Sequence, residues 1–297
     1  MSAPRGGAVL DGLVVVDKPA GLTSHDVVGR CRRIFAQRRV GHAGTLDPDA
    51  TGVLVVGLGV VTRLLRFVSG ARKSYEGEVV LGTETTTLDA AGDVVATHDM
   101  SGVTLVDVRS AAARLVGAIE QVPPMVSAVK VGGRRLHELA RAGVEVERAP
   151  RPVVVHRFDV QATPDPQVFR IAVDCSSGTY VRVLAADLGA AVGGGAHLRA
   201  LRRTAVGSFT LAEAVALDEL GLEAVLPPAQ AVRELESVEI DDRLAAAVGH
   251  GAVVDRQVAG LAGDGPWAVL DHDGRLLAVY EVHREGRAKP TVVLSSG

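Results

Sequence analysis

Aromatic side chains make up only 3% of the 297 residues, cysteine occurs twice, and lysine is limited to Lys18, Lys73, Lys130 and Lys289. The shortage of aromatics leaves Val, Leu and Ala to build the core of a chain that is 47% hydrophobic, a composition of globular type. Cys31 and Cys175 provide neither a disulfide framework nor a metal-ligand spacing, and both read as small core residues. No apolar run reaches membrane-spanning length without breakers, and the N-terminus has no basic-plus-apolar leader pattern, so a cytoplasmic, membrane-free protein is expected. Positive charge rests almost wholly on arginine, and the formal net charge is −3. That total argues against a general nucleic-acid binder. Local clustering at residues 30–39, 63–73, 130–151 and 199–203, against an acidic stretch at 211–242, would confine any RNA contact to one face.

The densest punctuation in the chain lies in residues 39–66, RVGHAGTLDPDATGVLVVGLGVVTRLLR. Glycines, a histidine, a proline and two aspartates are followed by a Val/Leu/Gly run that reads as a buried strand. Pro48 biases Asp47 towards extended backbone, and Gly41, Gly44 and Gly52 permit tight turns. A carboxylate on such a turn is either a structural Asx-turn or a group poised over a cleft. Within the same stretch, Gly57-Leu58-Gly59 followed by Glu76 and Glu78 imitates a dinucleotide-binding turn. Its third glycine is Thr62, and no alternating strand–helix series follows, so an oxidoreductase reading is weak.

Along the rest of the chain, residues 11–17 read as a buried strand, and residues 18–24 as a turn into a helix capped by Ser24 with Val27, Val28 and Cys31 on its apolar face. Residues 74–82 alternate as a strand containing Tyr75. Residues 101–121 read as a helix entered through Thr104 or Asp107, and residues 152–160 and 169–175 as paired strands around a turn at 163–167. In SSGTYVRVLAADLG, Tyr180 and Arg182 would share one strand face if the helix began after them. Residues 209–235 read as helices broken by Pro227-Pro228. Beyond them come short strands with hairpin-like turns at Gly265-Pro266 and Asp273-Gly274.

GHAGTLDPDATGVL closely resembles the signature loop of the TruB family of tRNA pseudouridine synthases. DKPAGLTSHDVV, the KSY segment at 73–75, the threonine-rich GTETTTLDAAGDVV, QVPPMVSAVK and SSGTYVRVL extend the resemblance along nearly the whole chain. The resemblance implies an α+β fold: a catalytic domain around a mixed, largely antiparallel sheet (residues 1–235), carrying an RNA-clamping insertion at about 130–151. A small PUA-like β-barrel would follow at residues 236–297. It implies isomerisation of a uridine in the T-loop of tRNA, with Asp47 as nucleophile, Arg182 as its partner and Tyr75 stacked on the target base. Tyr180 and Leu201 would complete the uracil pocket, and His42 would pack into the gap left by the extracted nucleotide. The reaction oxidises nothing and loses no atom, so neither metal nor cofactor is required. A monomer binding the T-arm stem-loop is expected.

Several residues keep a second reading. Lys18 fits a structural contact beneath the loop as well as an RNA contact, and Tyr75 on a strand could be core. The segment 130–151 carries Lys130, Arg134, Arg135, Arg141, Arg148 and Arg151 against Glu138, Glu145 and Glu147. It fits a solvated helix, with Leu136, Leu139 and Ala140 inward, as well as a clamp in which Lys130, Arg134 and Arg141 hold phosphates. The C-terminal strands fit a structural cap as well as an RNA-binding accessory. Two alternative functions stand beside the main one: a tRNA-binding folding helper with secondary chemistry, and a guide-RNA-dependent relative, whose kind usually carries longer basic tails.

Overall fold

The computed structural model describes residues 10–127, 130–131, 133–135, 144 and 146–294. Its first half runs β1 (Gly12–Lys18), α1 (Ser24–Ile34), β2 (Val40–His42), β3 (Thr51–Leu58), a 3-10 turn (Gly59–Arg63), α2 (Leu65–Ser69) and β4 (Lys73–Leu81). Then come β5 (Thr83–Thr85), β6 (Val94–Thr97), α3 (Leu105–Arg114), β7 (Gly117–Gln121) and the two-residue strands β8 (Lys130–Val131) and β9 (Arg134–Arg135). The long strands β10 (Arg151–Ala162) and β11 (Val168–Cys175) lead to α4 (Val181–Ala191), β12 (Ala196–Val206), β13 (Phe209–Thr210) and β14 (Val215–Ala216). The C-terminal part holds β15 (Glu236–Glu239), α5 (Asp242–Gly249), β16 (Val254–Asp255), β17 (Trp267–Leu270), β18 (Leu276–Val282) and β19 (Arg287–Val293).

The large sheet has the order β14-β1-β3-β12-β4-β11-β10-β7, with β2 added on β3 and β13 on β12. Within it β1–β14 and β3–β12 are parallel and the other pairs antiparallel, which is the mixed, largely antiparallel architecture expected. β1 and β3 are continuous apolar runs because both faces are covered. One face packs on α1 through Val14, Val16, Leu54 and Val56. The other, through Leu13, Val15, Val53 and Val55, meets α2 and the C-terminal sheet, including Ala268, Val279 and Val292. β10 instead alternates exposed and buried residues, since α3 and α4 cover only one of its faces. The second sheet, order β15-β17-β18-β19-β16, has Trp267 and Tyr280 in its own core and a PUA-like character.

Local chemistry accounts for several departures from the sequence reading. The cap of α1 is Thr23, in a reciprocal box with Asp26; Ser24 is the first helical residue, and its hydroxyl is engaged elsewhere. Both candidate entry residues of α3 act together, Thr104 as cap and Asp107 as its box partner. That helix stops at Arg114, because Gly117 adopts φ +112° and turns the chain into β7 instead of continuing to residue 121. Residues 209–235 form short 3-10 turns and two-residue strands rather than helices, as Gly221 and Pro227-Pro228 leave no uninterrupted helical stretch. Asp273-Gly274 does join a hairpin, β17–β18, whereas Gly265-Pro266 merely precedes β17; the other hairpin, β18–β19, turns at residues 283–286. The dinucleotide-turn imitation is resolved by topology. β3 lies antiparallel to β1 and ends in the 3-10 turn, not in a crossover helix. No helix among the described residues is long and apolar enough to cross a membrane.

Candidate active site

Asp47 sits in the loop between β2 and β3, and four groups from distant parts of the chain fix that loop by its backbone. Ser24 Oγ accepts from Leu46 N at 2.8 Å and donates to Leu46 O at 3.1 Å. The Lys18 ammonium donates to Pro48 O at 2.8 Å, and also to Pro19 O and Leu22 O. Gly21 N donates to Pro48 O at 3.0 Å, and Arg203 donates to Gly44 O at 3.1 Å and Thr45 O at 3.4 Å. Gly52 follows at φ +101°, and a Cβ there would lie 2.2 Å from Arg203 O, so the loop can enter β3 only through glycine. Gly44 also has positive φ, whereas Gly41 lies inside β2.

Arg182 reaches this loop from the first turn of α4. Its guanidinium pairs with Asp47 and, through Nη1, with Asp89 Oδ2 at 3.4 Å. The Arg182 side chain is 5% exposed against 44% for Asp47. A buried cation thus holds a carboxylate that is itself open to a ligand. Tyr180 and Arg182 do not share a strand. Tyr180 is the extended residue just before α4, its N–H and C=O held by the Gln121 amide at 2.9 and 3.3 Å, and Arg182 is already helical. The apolar spacing Val181, Leu184, Ala185, Leu188 starts the helix there.

Asp47 faces a cavity of about 460 Å³ whose wall includes Tyr75, Tyr180, Arg182 and Leu201, with Lys73 and Arg203 behind. That volume suits a small-molecule or single-nucleotide site, in the range of about 300–1,000 Å³. A second cavity of about 210 Å³ opens on the other side of Asp47, bounded by Asp89, Arg182 and Leu201. Tyr75 on β4 is buried, which pushes its phenol pKa up, so the ring is a neutral, apolar wall at ordinary pH. Burial also lowers Lys73 to about 8; its ammonium donates to Ser69 O and Ala71 O. A larger cleft of about 670 Å³ lies over the open face of β4, β11 and β10. Its arginines are engaged by acids: Arg199 with Glu78 at 2.7 Å, Arg157 with Asp159 at 3.2 Å and Arg202 with Asp17 at 2.6 Å. The reactive groups converge at the smaller cavity.

The structure therefore brings together Asp47, Arg182, Tyr75, Tyr180 and Leu201. His42 ends β2, half-buried and outside the lining of the Asp47 cavities; burial first, then the Arg203 charge, lowers its pKa, so it is a neutral ring near pH 7. Lys18 is a correction: it is fully buried with its ammonium on three carbonyls, which leaves no surface for RNA and supports the loop-holding role. Lys130 and Arg134 lie on the small β8–β9 ladder, where Arg134 is exposed. Arg148 donates to Pro123 O at 3.1 Å. Arg141 and the apolar positions Leu136, Leu139 and Ala140 lie outside the described residues. Two site residues were not singled out from sequence, Asp89 and Arg203. Alternation along β12 could have found Arg203, two residues from Leu201; Asp89 reaches Arg182 only because residues 88–90 bond to Leu198 of β12.

Comparison with known proteins finds relatives over nearly the whole chain. Residues 32–181 match the N-terminal domain of the TruB family pseudouridylate synthases, and residues 182–238 match the tRNA pseudouridylate synthase B C-terminal domain. The chain is 50% identical over 292 residues to tRNA pseudouridine synthase B of Mycobacterium sp. (strain KMS), covering 97% of this chain and 98% of that one. It is 47% identical over 293 residues to the enzyme of the same name from Thermobifida fusca (strain YX), covering 96% and 99%. Among solved structures it superposes on a chain of a Cbf5–Nop10–Gar1 complex with TM-score 0.73 at 27% identity, covering 96% of this chain and 84% of that one. A chain of an H/ACA RNP bound to a substrate RNA containing 2′-deoxyuridine gives TM-score 0.71 at 25% identity, with the same coverage. The chain belongs to the TruB family of pseudouridylate synthases.

Proposed function

We propose that this enzyme converts a uridine in the T-loop of tRNA to pseudouridine, with Asp47 as the nucleophile, acting as a cytoplasmic monomer. The observation that carries the reading is the pairing of a half-exposed Asp47, on a loop fixed by its backbone, with a buried Arg182 beside a tyrosine-walled cavity. Isomerisation breaks the N1–C1′ bond, turns the uracil and joins C5 to C1′; the C5 proton leaves and N1 gains one. The target base must leave its stack to reach a carboxylate in a cavity. In the cavity Tyr75 offers a ring face for stacking, while Tyr180 and Leu201 exclude water from the turning base. Arg182 holds the Asp47 carboxylate in one orientation before substrate arrives, so that reacting atoms meet without rearrangement.

Residues 1–235 form the catalytic part in this reading, residues 236–297 an accessory, and 130–151 an RNA clamp to which Arg134 contributes an exposed charge. Identity of about half to enzymes named tRNA pseudouridine synthase B, against 27% to a chain of a Cbf5–Nop10–Gar1 complex and 25% to a chain of an H/ACA RNP, favours action without a guide RNA. The test is release of tritium from C5-labelled uridine in tRNA by the purified protein with nothing added. Release from the T-loop position supports the reading. Binding of tRNA without release would leave the folding-helper function instead.

A further inference from the structure

Arg203 is fully buried behind the loop that carries Asp47; it bonds to backbone carbonyls and to the Tyr75 hydroxyl, and among the described residues no carboxylate pairs with it. Burying a guanidinium without a counter-charge is costly, and a residue needed only to fill the space could be apolar. The contacts have a pattern. Nη2 and Nη1 take the carbonyls of Gly44 and Thr45, just before Asp47, while Nε takes Val53 O at 2.7 Å, just after it. One rigid fork therefore ties both limbs of the catalytic loop together. The backbone of the same residue lies in register with Gly52 on β3 and with Tyr75 on β4. The β12–β4 ladder slips immediately beyond it, between Arg203 and Ala205. Arg203 is thus where the nucleophile's loop and the stacking tyrosine's strand are referred to a common point.

We propose that Arg203 is a positioning residue for the isomerisation: it sets the location of the Asp47 carboxylate relative to the Tyr75 ring without touching substrate. The role rests on the reading of Asp47 and Tyr75 given above. Lysine at this position keeps the charge but offers no planar fork able to reach three carbonyls on two limbs.

The experiment compares wild type, Arg203→Lys and Arg203→Ala by thermal melting, by filter binding of tRNA, and by single-turnover tritium release at saturating tRNA. Arg203→Ala is also assayed with added methylguanidinium or methylammonium. Folded Arg203→Lys should bind tRNA within about threefold of wild type and react about 100-fold more slowly, the scale of a misplacement of about 1 Å. Methylguanidinium, and not methylammonium, should restore part of the Arg203→Ala rate. A folded Arg203→Lys reacting within about threefold of wild type would overturn the proposal. So would loss of the fold in both variants, or equal rescue by the two additives, since either would make the residue merely structural. No release by wild type would sink the functional reading and this role with it, whereas normal wild-type and normal Arg203→Lys release sink the role alone.

Discussion

Arg182→Lys retains a positive charge beside Asp47 and removes the geometry that uses it. The guanidinium fork now spans two carboxylates, Asp47 on one side and Asp89 on the other, from a side chain that is 5% exposed. A lysine ammonium in the same first turn of α4 is a point donor on a flexible stem and can satisfy one of the two at a time. A hydrogen bond to a charged group contributes about 1.5–3 kcal/mol. Losing one outright and loosening the other costs about 3–4 kcal/mol of transition-state organisation, or roughly 100- to 1,000-fold in rate. The assay is single-turnover tritium release at saturating tRNA, with affinity measured separately by filter binding. The rate should fall on that scale while affinity stays within a few-fold, because phosphate contacts elsewhere supply most of the binding. Asp89→Asn, which spares the Asp47 pair, should cost less, about tenfold. Arg182→Lys reacting within about threefold of wild type would mean that Asp47 needs no fork, and the argument from geometry would fail.

Further outcomes follow from the loop and the charge clusters. Burial lowers the pKa of Lys18 from its ordinary 10.5 to about 8, so between those values the unfolded chain binds more protons than the folded one. The group's contribution is complete above the unfolded value and lost as pH falls through 8. Stability should therefore rise from pH 8 to 10, and Lys18→Met should reduce that rise in urea titrations without abolishing it, since Lys73 is lowered to about 8 as well. Gly52→Ala, at φ +101° with its new Cβ against Arg203 O, should lower stability by about 3 kcal/mol or more, read as a fall in melting temperature. Arg134→Ala and Arg141→Ala together should reduce the slope of log affinity against log salt by about 0.7–0.9 for each phosphate no longer neutralised, leaving the saturated single-turnover rate unchanged.

How much of this could be read from the chain differs by element. Strands β1, β3, β4, β10, β11 and β17–β19 were legible because continuous or alternating apolar residues report how many faces are covered. The Asp47 loop was legible because glycine and proline constrain backbone locally. Residues 115–121 were misread because one glycine with positive φ outweighed the helical pattern before it. Tyr180 and Arg182 both line the Asp47 cavity, yet the strand face expected for them is absent: Gln121, 59 residues away, holds the extended Tyr180 backbone, and Arg182 is already helical. Asp89 has no role that its threonine-rich segment reveals, because it meets Arg182 only through the pairing of residues 88–90 with Leu198 of β12, whereas Arg203 shares the alternation of β12 with Leu201 and is legible from it. Lys18 kept two readings because sequence does not report burial, and its enclosure under Pro48 favours one of them.

The most direct test of the account is Asp47→Asn, which replaces the carboxylate with a group of nearly the same shape on the same loop. Single-turnover tritium release from C5-labelled tRNA should drop below roughly one per cent of wild type, the scale expected when a covalent nucleophile is lost. Affinity for tRNA should remain within several-fold, since the phosphate contacts are untouched. Release by Asp47→Asn above that level would remove Asp47 from the nucleophile's role and contradict the account at its centre.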